Sequence, residues 1–362
     1  MLTALLPAVA VVVAITAAAA TPALAGSEPV GGPRLGTSGT VSANGAPGLP
    51  AAITASSWLV ADLDTGEVLA ARDPHGRYLP ASTLKILTAV TEIPRLDPDS
   101  KASPTAEDVA VDGNKAPLEV GAAYPVRDLF GYLLVRSAND AANTLARIDG
   151  GRANTLDRMS REARHLHADD TNPLTPSGLD ASGESTSAYD LALIARAALG
   201  IPEFARLVSA QQLTVTGPAG APTSIRPENK LLAQYPGAIG VKTGYTLRAG
   251  GTFVGAARRD GHTLVVTLLH ATPGYFPEAE RLLDWGFSAD GRFPGVGRLV
   301  DPAPGLAPND PRAADPRPTG PVAGGTPLRH HSTAWQLPAL AGAAVVLVAA
   351  GTALLLWRRR KR

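Results

Sequence analysis

The chain has 362 residues, enough to bury a sizeable core as one large domain or two modest ones. Its 33 basic and 32 acidic side chains nearly cancel, which argues against a nucleic-acid partner. With no cysteine, disulfides, thiolate metal sites, a cysteine nucleophile and a lipid-modified cysteine are all excluded.

Residues 1–25 form an apolar, alanine-rich run ending Ala23-Leu24-Ala25, small residues that suit cleavage of an export signal before Gly26. No Lys or Arg precedes Arg34, so the usual positive start of such a signal is missing and an uncleaved anchor stays open. Residues 26–50, mostly Gly, Pro, Ser and Ala, are expected to be a flexible lead-in. Order should begin with a hairpin: Ser56–Leu63, a turn at Asp64-Thr65-Gly66, and a return over Glu67–Ala71. Pro80-Ala81-Ser82-Thr83-Leu84-Lys85 then enters a run whose Leu84, Leu87 and Val90 recur at helical spacing. A short strand is expected at Asp108–Val111. Pro125–Val135 predicts a helix that breaks at Arg136-Ser137-Ala138-Asn139-Asp140 and restarts through Ala141–Ala146.

Further helices are expected over 152–165, Tyr189–Leu199 and Glu203–Ser209, with a polar loop between about 168 and 184 and a strand at Leu213–Thr216. Gly237–Thr246 reads as a glycine-studded strand, a sign of close backbone approach. Gly251–Arg259 and His262–Ala271 should pair as a hairpin, and Pro277–Phe287 should close the domain as a helix. Strands, then helices, then strands again imply an α+β domain over 51–288 whose sheet draws on both chain ends. Residues 289–334 read as a Pro/Gly-rich linker. Leu337–Trp357 is uncharged and apolar, Trp335 flanks it, and Arg358-Arg359-Arg360-Lys361-Arg362 follows. That pattern predicts a transmembrane helix over 335–357 with a cytoplasmic tail at 358–362, leaving the preceding domain outside the cytosol.

On a helix, Lys85 lies three residues beyond Ser82 and returns to the same face. The pair reads either as a nucleophile carrying its own base or as an ordinary helix cap beside a surface lysine. Two further motifs follow in order, Ser137-Ala138-Asn139 and Lys242-Thr243-Gly244. Ser-x-x-Lys, a central Ser/Asn motif and Lys-Thr-Gly together mark penicillin-binding proteins and class A β-lactamases. Only six lysines occur in the chain, and two of them fall within these motifs.

From about Ser56 to Phe287 the chain resembles the low-molecular-mass D-alanyl-D-alanine carboxypeptidases, in the penicillin-binding protein and serine β-lactamase-like superfamily. The resemblance extends to Pro80-Ala81-Ser82, Ser137-Ala138-Asn139-Asp140-Ala141-Ala142, Ser177-Gly178-Leu179-Asp180, Asn229-Lys230-Leu231-Leu232 and Gly240-Val241-Lys242-Thr243-Gly244-Tyr245-Thr246. It implies a transpeptidase-like fold, an antiparallel sheet flanked by helices with an all-helical subdomain. It also implies a cofactor-free and metal-free hydrolase, acylated by β-lactam antibiotics, that takes the terminal D-alanine from peptidoglycan stem peptides.

On that resemblance Ser82 attacks the peptide carbonyl and a neutral Lys85 takes its proton. Bringing a lysine from about 10.4 to near 7 costs about 4–5 kcal/mol, which burial and a neighbouring cation, Lys242, can supply. Ser137 would relay a proton to the leaving amine, and Asn139 would orient Ser82, Lys85 and the substrate amide. Lys242 and Thr243 would meet the substrate carboxylate, Gly244 would clear space for substrate, and the N–H groups of Ser82 and Tyr245 would form the oxyanion hole. Many relatives carry a β-rich second domain and an amphipathic membrane helix; here a tether and a spanning segment take that place.

Other residues favour plainer readings. His165 and His167 diverge on a helix and suit the surface better than a metal. No histidine sits in a motif, so a Ser-His-Asp triad has no support. Asp62 and Asp64 suit a turn, and Asp140 a helix cap. A class A β-lactamase is the nearest rival, but the Glu-x-x-Leu-Asn that activates its deacylating water is absent, and Ala138 stands where those enzymes usually have Asp. A membrane-tethered wall- or penicillin-binding protein without turnover is the other, although no motif residue is lost.

Overall fold

The structure, a computed structural model, describes residues 28–305. The expected export signal, the linker beyond residue 305, the membrane span at 335–357 and the basic tail lie outside the described residues. Among those described, no helix is long and apolar enough to cross a membrane.

The first half of the chain runs β1 (Thr40–Ser42), β2 (Ser57–Asp62), β3 (Glu67–Arg72), α1 (Lys85–Glu92), β4 (Lys101–Ala102), α2 (Ala106–Val109), β5 (Tyr124–Pro125), α3 (Val126–Val135), α4 (Asn139–Ile148) and α5 (Arg152–His165). The second half runs α6 (Ala188–Leu199), α7 (Pro202–Ser209), β6 (Leu213–Thr216), β7 (Pro222–Ile225), α8 (Leu231–Gln234), β8 (Ala238–Thr246), β9 (Gly250–Arg259), β10 (His262–Ala271), α9 (Phe276–Ala289) and β11 (Gly297–Arg298). The main sheet is antiparallel in the order β1-β3-β2-β10-β9-β8, with β11 also on β3. Strands from both chain ends therefore meet at the β2–β10 seam, where Ala61 faces Val265 and Val60 faces Val266.

Every residue of β2 is buried, because the sheet is covered on both faces. Alternate side chains divide between two cores. Leu59, Ala61, Val254 and Val265 face the helices α1 and α6, while Trp58, Val60, Phe253, Leu264 and Val266 face α9. Gly286 lets α9 settle closely: an added Cβ there would stand 2.8 Å from Leu264 Cδ1 and 2.9 Å from Val60 Cγ1. The helices α1, α3, α4 and α5 pack on one another as the helical part of the fold. The turn that carries Ser82 lies where this helical part meets β8 and β9.

Four expectations change. Residues 28–50 are not a free lead-in: a 3-10 turn at Pro33–Leu35 buries Leu35 completely, and β1 pairs with β3. Gly/Pro composition reads as a linker, yet one leucine and a strand edge needing a partner are enough to fix it. The domain also runs past 288, because β11 pairs with β3 and Val296 and Leu299 are buried. The strand expected at Asp108–Val111 does not form: Asp108 and Val109 end α2, and Ala110 and Val111 follow it without regular structure. Thr105 Oγ1 accepts from Asp108 N while the Asp108 carboxylate accepts from Thr105 N, a capping box that starts a helix. Finally, Ser82 lies in a 3-10 turn, Ala81–Leu84, that leads into α1 rather than opening it.

Leu35→Ala tests the corrected arm. Emptying a fully buried leucine site should cost about 2–5 kcal/mol and lower Tm by about 5–15 °C in a thermal melt. A flexible lead-in would give no change.

Candidate active site

The Ser82 turn is held from three directions. Ala81 adopts φ +46°, outside the usual range for a non-glycine residue. Thr83 Oγ1 and Thr252 Oγ1 donate to Pro80 O at 2.6 and 2.9 Å, tying the turn to itself and to β9. Gly178 (φ +77°) presses against it so closely that an added Cβ would stand 1.8 Å from Ala81 O. Only glycine fits there, which explains the Ser-Gly of the 177–180 motif.

Lys85, the first residue of α1, is fully buried beneath Ser82. Its Nζ lies 2.9 Å from Ser82 Oγ, 2.7 Å from Asn139 Oδ1 and 2.6 Å from Ser177 O. Two of these partners can only accept. A neutral amine has two N–H donors and one lone pair, so the two carbonyl oxygens occupy its donors and leave the lone pair for the Ser82 hydroxyl. Burial first, then the charge of Lys242, push the Lys85 pKa well below the usual lysine value. Glu228, Glu184 and Asp140 oppose this more weakly. The cap-and-surface reading of Ser82 and Lys85 is excluded by this burial.

Ser137 follows α3 with φ +58° and is almost wholly buried. This left-handed kink presents its hydroxyl to β8, where Lys242 Nζ donates to Ser137 Oγ at 3.0 Å and to Thr243 O at 2.7 Å. Burial lowers the Lys242 pKa to about 8, and Glu228 acts against that shift. Asn139 opens α4, and its Nδ2 donates to Asp112 O at 2.7 Å, which fixes Oδ1 toward Lys85. Ser82, Lys85, Ser137, Asn139 and Lys242 therefore form one constellation.

Along β8, Thr243 is buried and Tyr245 is about half exposed beyond it. Gly244 departs from expectation. A Cβ there would stand 2.3 Å from Thr252 Oγ1 and 2.7 Å from Ser82 N, so the space it leaves is filled by protein, the Ser82 turn itself. The close fit brings the Ser82 and Tyr245 stretches together, as an oxyanion hole shared between their N–H groups requires.

Asp62 Oδ1 accepts from Asp64 N and Thr65 N, and Asp64 accepts from Thr263 N, so both serve the turn. Asp140 does more than cap: its Oδ1 accepts from Ala141 N and also from Ala116 N, fastening the preceding loop to α4. Glu184 is committed to Leu174 N, Thr175 N and Thr175 Oγ1 and holds the loop that carries Ser177. Asn229 Oδ1 accepts from Leu231 N at the start of α8. Among the described residues, His165 and His167 join no group with metal-ligand geometry. His75, Asp170 and Asp190 do cluster, but both His75 ring nitrogens are engaged, with Asp170 and Val30 O, as in an imidazolium ion pair.

Three contributors escaped the sequence reading. Ser177 acts through its carbonyl and Asp112 through its own, and no side-chain pattern announces a backbone group. Glu228, bonded to Asn114 Nδ2 at 2.8 Å, biases both lysines by charge from a stretch without a motif.

The profile of the D-alanyl-D-alanine carboxypeptidases, peptidase S11, matches residues 41–272. The chain belongs to this family. It is similar to D-alanyl-D-alanine carboxypeptidase DacB2 of Mycobacterium tuberculosis H37Rv, 41% identical over 241 residues that cover 65% of this chain and 82% of that one. It is also similar to the carboxypeptidase DacD of Escherichia coli K12, 34% identical over 255 residues, or 66% of this chain and 64% of that one. The latter match leaves about a third of the longer relative without a counterpart. A crystal structure of a D-alanyl-D-alanine carboxypeptidase from M. tuberculosis H37Rv superposes with a TM-score of 0.68 at 39% identity, covering 71% of this chain and 99% of that one. The transpeptidase-like α+β fold of penicillin-binding proteins is thus the fold of this carboxypeptidase.

The two buried amines of the carboxypeptidase should titrate apart. In 15N NMR of lysine side chains, Lys242 should deprotonate near pH 8, and Lys85 well below the ordinary lysine range. Replacing Lys242 with Gln removes a repelling charge, so the Lys85 transition should move to higher pH. An unmoved transition would show that the two sites are not coupled.

Proposed function

We propose that this chain removes the terminal D-alanine from peptidoglycan stem pentapeptides through an acyl-enzyme on Ser82. The observation that carries the reading is the buried Lys85 amine, whose two carbonyl acceptors, when it is neutral, leave its lone pair for the Ser82 hydroxyl. Ser82 Oγ attacks the carbonyl between the two D-alanines and its proton passes to Lys85 Nζ. The Ser82 and Tyr245 N–H groups receive the oxyanion. Collapse breaks the peptide bond, and the departing amine takes a proton relayed through Ser137, with Lys242 behind it. Water then cleaves the ester, returning Ser82 and releasing the shortened peptide. Lys242 and Thr243 bind the free carboxylate that makes the reaction a carboxypeptidase reaction, and Asn139 Nδ2 and Oδ1 hold the site in register. A β-lactam follows the first half of this path, its strained amide opening onto Ser82.

We further propose that the catalytic domain works outside the cytosol, held by a span over 335–357. The support is the uncharged run Leu337–Trp357 and the basic cluster that follows it.

Mass spectrometry of the ectodomain with a diacyl-L-Lys-D-Ala-D-Ala peptide and with penicillin tests class and nucleophile together. D-alanine release and a penicilloyl adduct are expected, and both should vanish in Ser82→Ala. Acylation by penicillin without D-alanine release would instead support a binding protein, and rapid nitrocefin turnover a β-lactamase.

The pH profile of kcat/KM follows from the two lysines. Protonation of Lys85 removes the base, so the rate should rise as pH climbs through its depressed pKa. Loss of the Lys242 proton removes the cation, so the rate should fall above about 8. Lys242→Arg keeps a charge that does not titrate in this range and should abolish the alkaline limb, whatever its cost in rate. Persistence of that limb would assign it to another group.

A further inference from the structure

At the end of the sheet remote from Ser82, three chain segments bring Asp62, His262 and Asp290 together. Asp62 closes β2, His262 opens β10 and Asp290 follows the last turn of α9. One oxygen or nitrogen atom of each lies within 4.8 Å of those of the other two. His262 Nδ1 stands 2.8 Å from Asp290 Oδ2 and 3.4 Å from Asp62 Oδ2. On β9, Thr252 ties down the Ser82 turn, and Arg259, seven residues further on, pairs with His262. Seven residues of strand span about 23 Å, so this group stands apart from the reacting centre.

Its charges do not balance. Asp62 is wholly buried, and the Asp290 side chain is only 6% exposed. Neither pairs with a lysine or arginine among the described residues, which leaves the exposed His262 as the ion-pair partner of both. Nδ1 carries at most one proton, and Asp290 is the nearer acceptor. At 3.4 Å Asp62 Oδ2 lies beyond the ordinary N–H···O range, so a fully buried carboxylate oxygen faces the group without a full donor. Burial, and then the charge of Asp62, push the Asp290 pKa up, and Glu67 adds to the negative field. Asp62 Oδ1, by contrast, is fixed by Asp64 N and Thr65 N at 2.6 and 3.0 Å, which leaves Oδ2 for His262 and Asp290. Metal-ligating carboxylates are anchored by hydrogen bonds of this kind.

We propose that Asp62 Oδ2, His262 Nδ1 and Asp290 Oδ2 bind a divalent transition-metal ion of the zinc class, which clamps the ends of β2 and β10 to α9. The cation takes the place of the Nδ1 proton and neutralises both carboxylates at once. Tetrahedral zinc with bonds of about 2.0–2.1 Å sets its ligand atoms about 3.3 Å apart, and the two distances to Nδ1 bracket that edge. An imidazole nitrogen among the ligands favours zinc over calcium or magnesium, which prefer oxygen alone. The exposed side of His262 gives the ion a way in and leaves its fourth position to water. The ion holds structure and takes no part in acyl transfer.

The test adds Zn2+ or Ca2+ alone to the chelator-treated full-length protein. Free Zn2+ at about a hundred times its Kd should raise Tm by about 5–10 °C, and the same concentration of Ca2+ should leave Tm unchanged. In 15N NMR of the imidazoles, Zn2+ should move the Nδ1 resonance of His262. His262→Gln and Asp290→Asn should each abolish the zinc increment, whatever Tm the variant has without metal. The kcat/KM for D-alanine release should be the same with zinc, with chelator and in His262→Gln. Absence of a zinc increment, its survival in both variants, or an equal response to Ca2+ would overturn the site. A rate that depends on zinc would overturn its purely structural role.

Discussion

The chemistry depends on one buried amine and on what surrounds it. A fully buried lysine is unfavourable as an ion unless something compensates the lost hydration. Around Lys85 Nζ the fold supplies two carbonyl oxygens and one hydroxyl and withholds any carboxylate in direct contact. Two acceptors suit two N–H donors. The third direction is left to a group that can donate. The hydroxyl can accept as well as donate, so hydrogen bonding alone accommodates either form; it is burial first, and repulsion from Lys242 second, that favour the neutral amine. Lys242 lies in similar burial but keeps Glu228 as its principal charge partner, and its pKa stays near 8. Burial thus depresses both lysines of the site, with the charge of Lys242 adding to the shift of Lys85.

That arrangement draws on three distant parts of the chain. Ser82 and Lys85 come from the amino-terminal part of the sheet's own chain order, Ser137 and Asn139 from the helical insertion, and Lys242 from the carboxy-terminal hairpin. The β2–β10 seam fixes the first of these against the last, and Gly244 lets the Ser82 turn lie directly on β8. Gly178 does the same from the helical side. Both glycines serve approach of protein to protein, so each substitution there would move the nucleophile before it obstructed any substrate.

The legible part of the sequence was the part written in side chains. Ser-x-x-Lys, Ser-Ala-Asn and Lys-Thr-Gly each demand particular functional groups, and the strongly periodic helices at 152–165 and 188–199 announce themselves through spacing. What stayed hidden acts through the backbone or through composition. The Ser177 carbonyl has no residue preference of its own, and Gly178 beside it reports the tight packing only once Ala81 O is seen facing it. The arm at 28–50 and the stretch at 296–300 were read as linkers because glycine and proline dominate them. Leu35, Val296 and Leu299 are few, but they are enough to seat two short strands. The stretch at Asp108 differs in kind: alternating Val109 and Val111 suggest a strand, whereas Thr105 and Asp108, three residues apart, cap a short helix.

These short strands matter because of the edge they close. A sheet with six strands in line has two edges, and each offers unpaired backbone groups. On the β3 side, β1 and β11 share the edge end to end, one from each end of the described chain. On the other side β8 is the terminal strand, with Lys242, Thr243 and Tyr245 along it. The first edge is thus made of two short strands, three and two residues long, whereas β8 offers nine residues in one run, the longer edge to which an extended peptide could add as a strand.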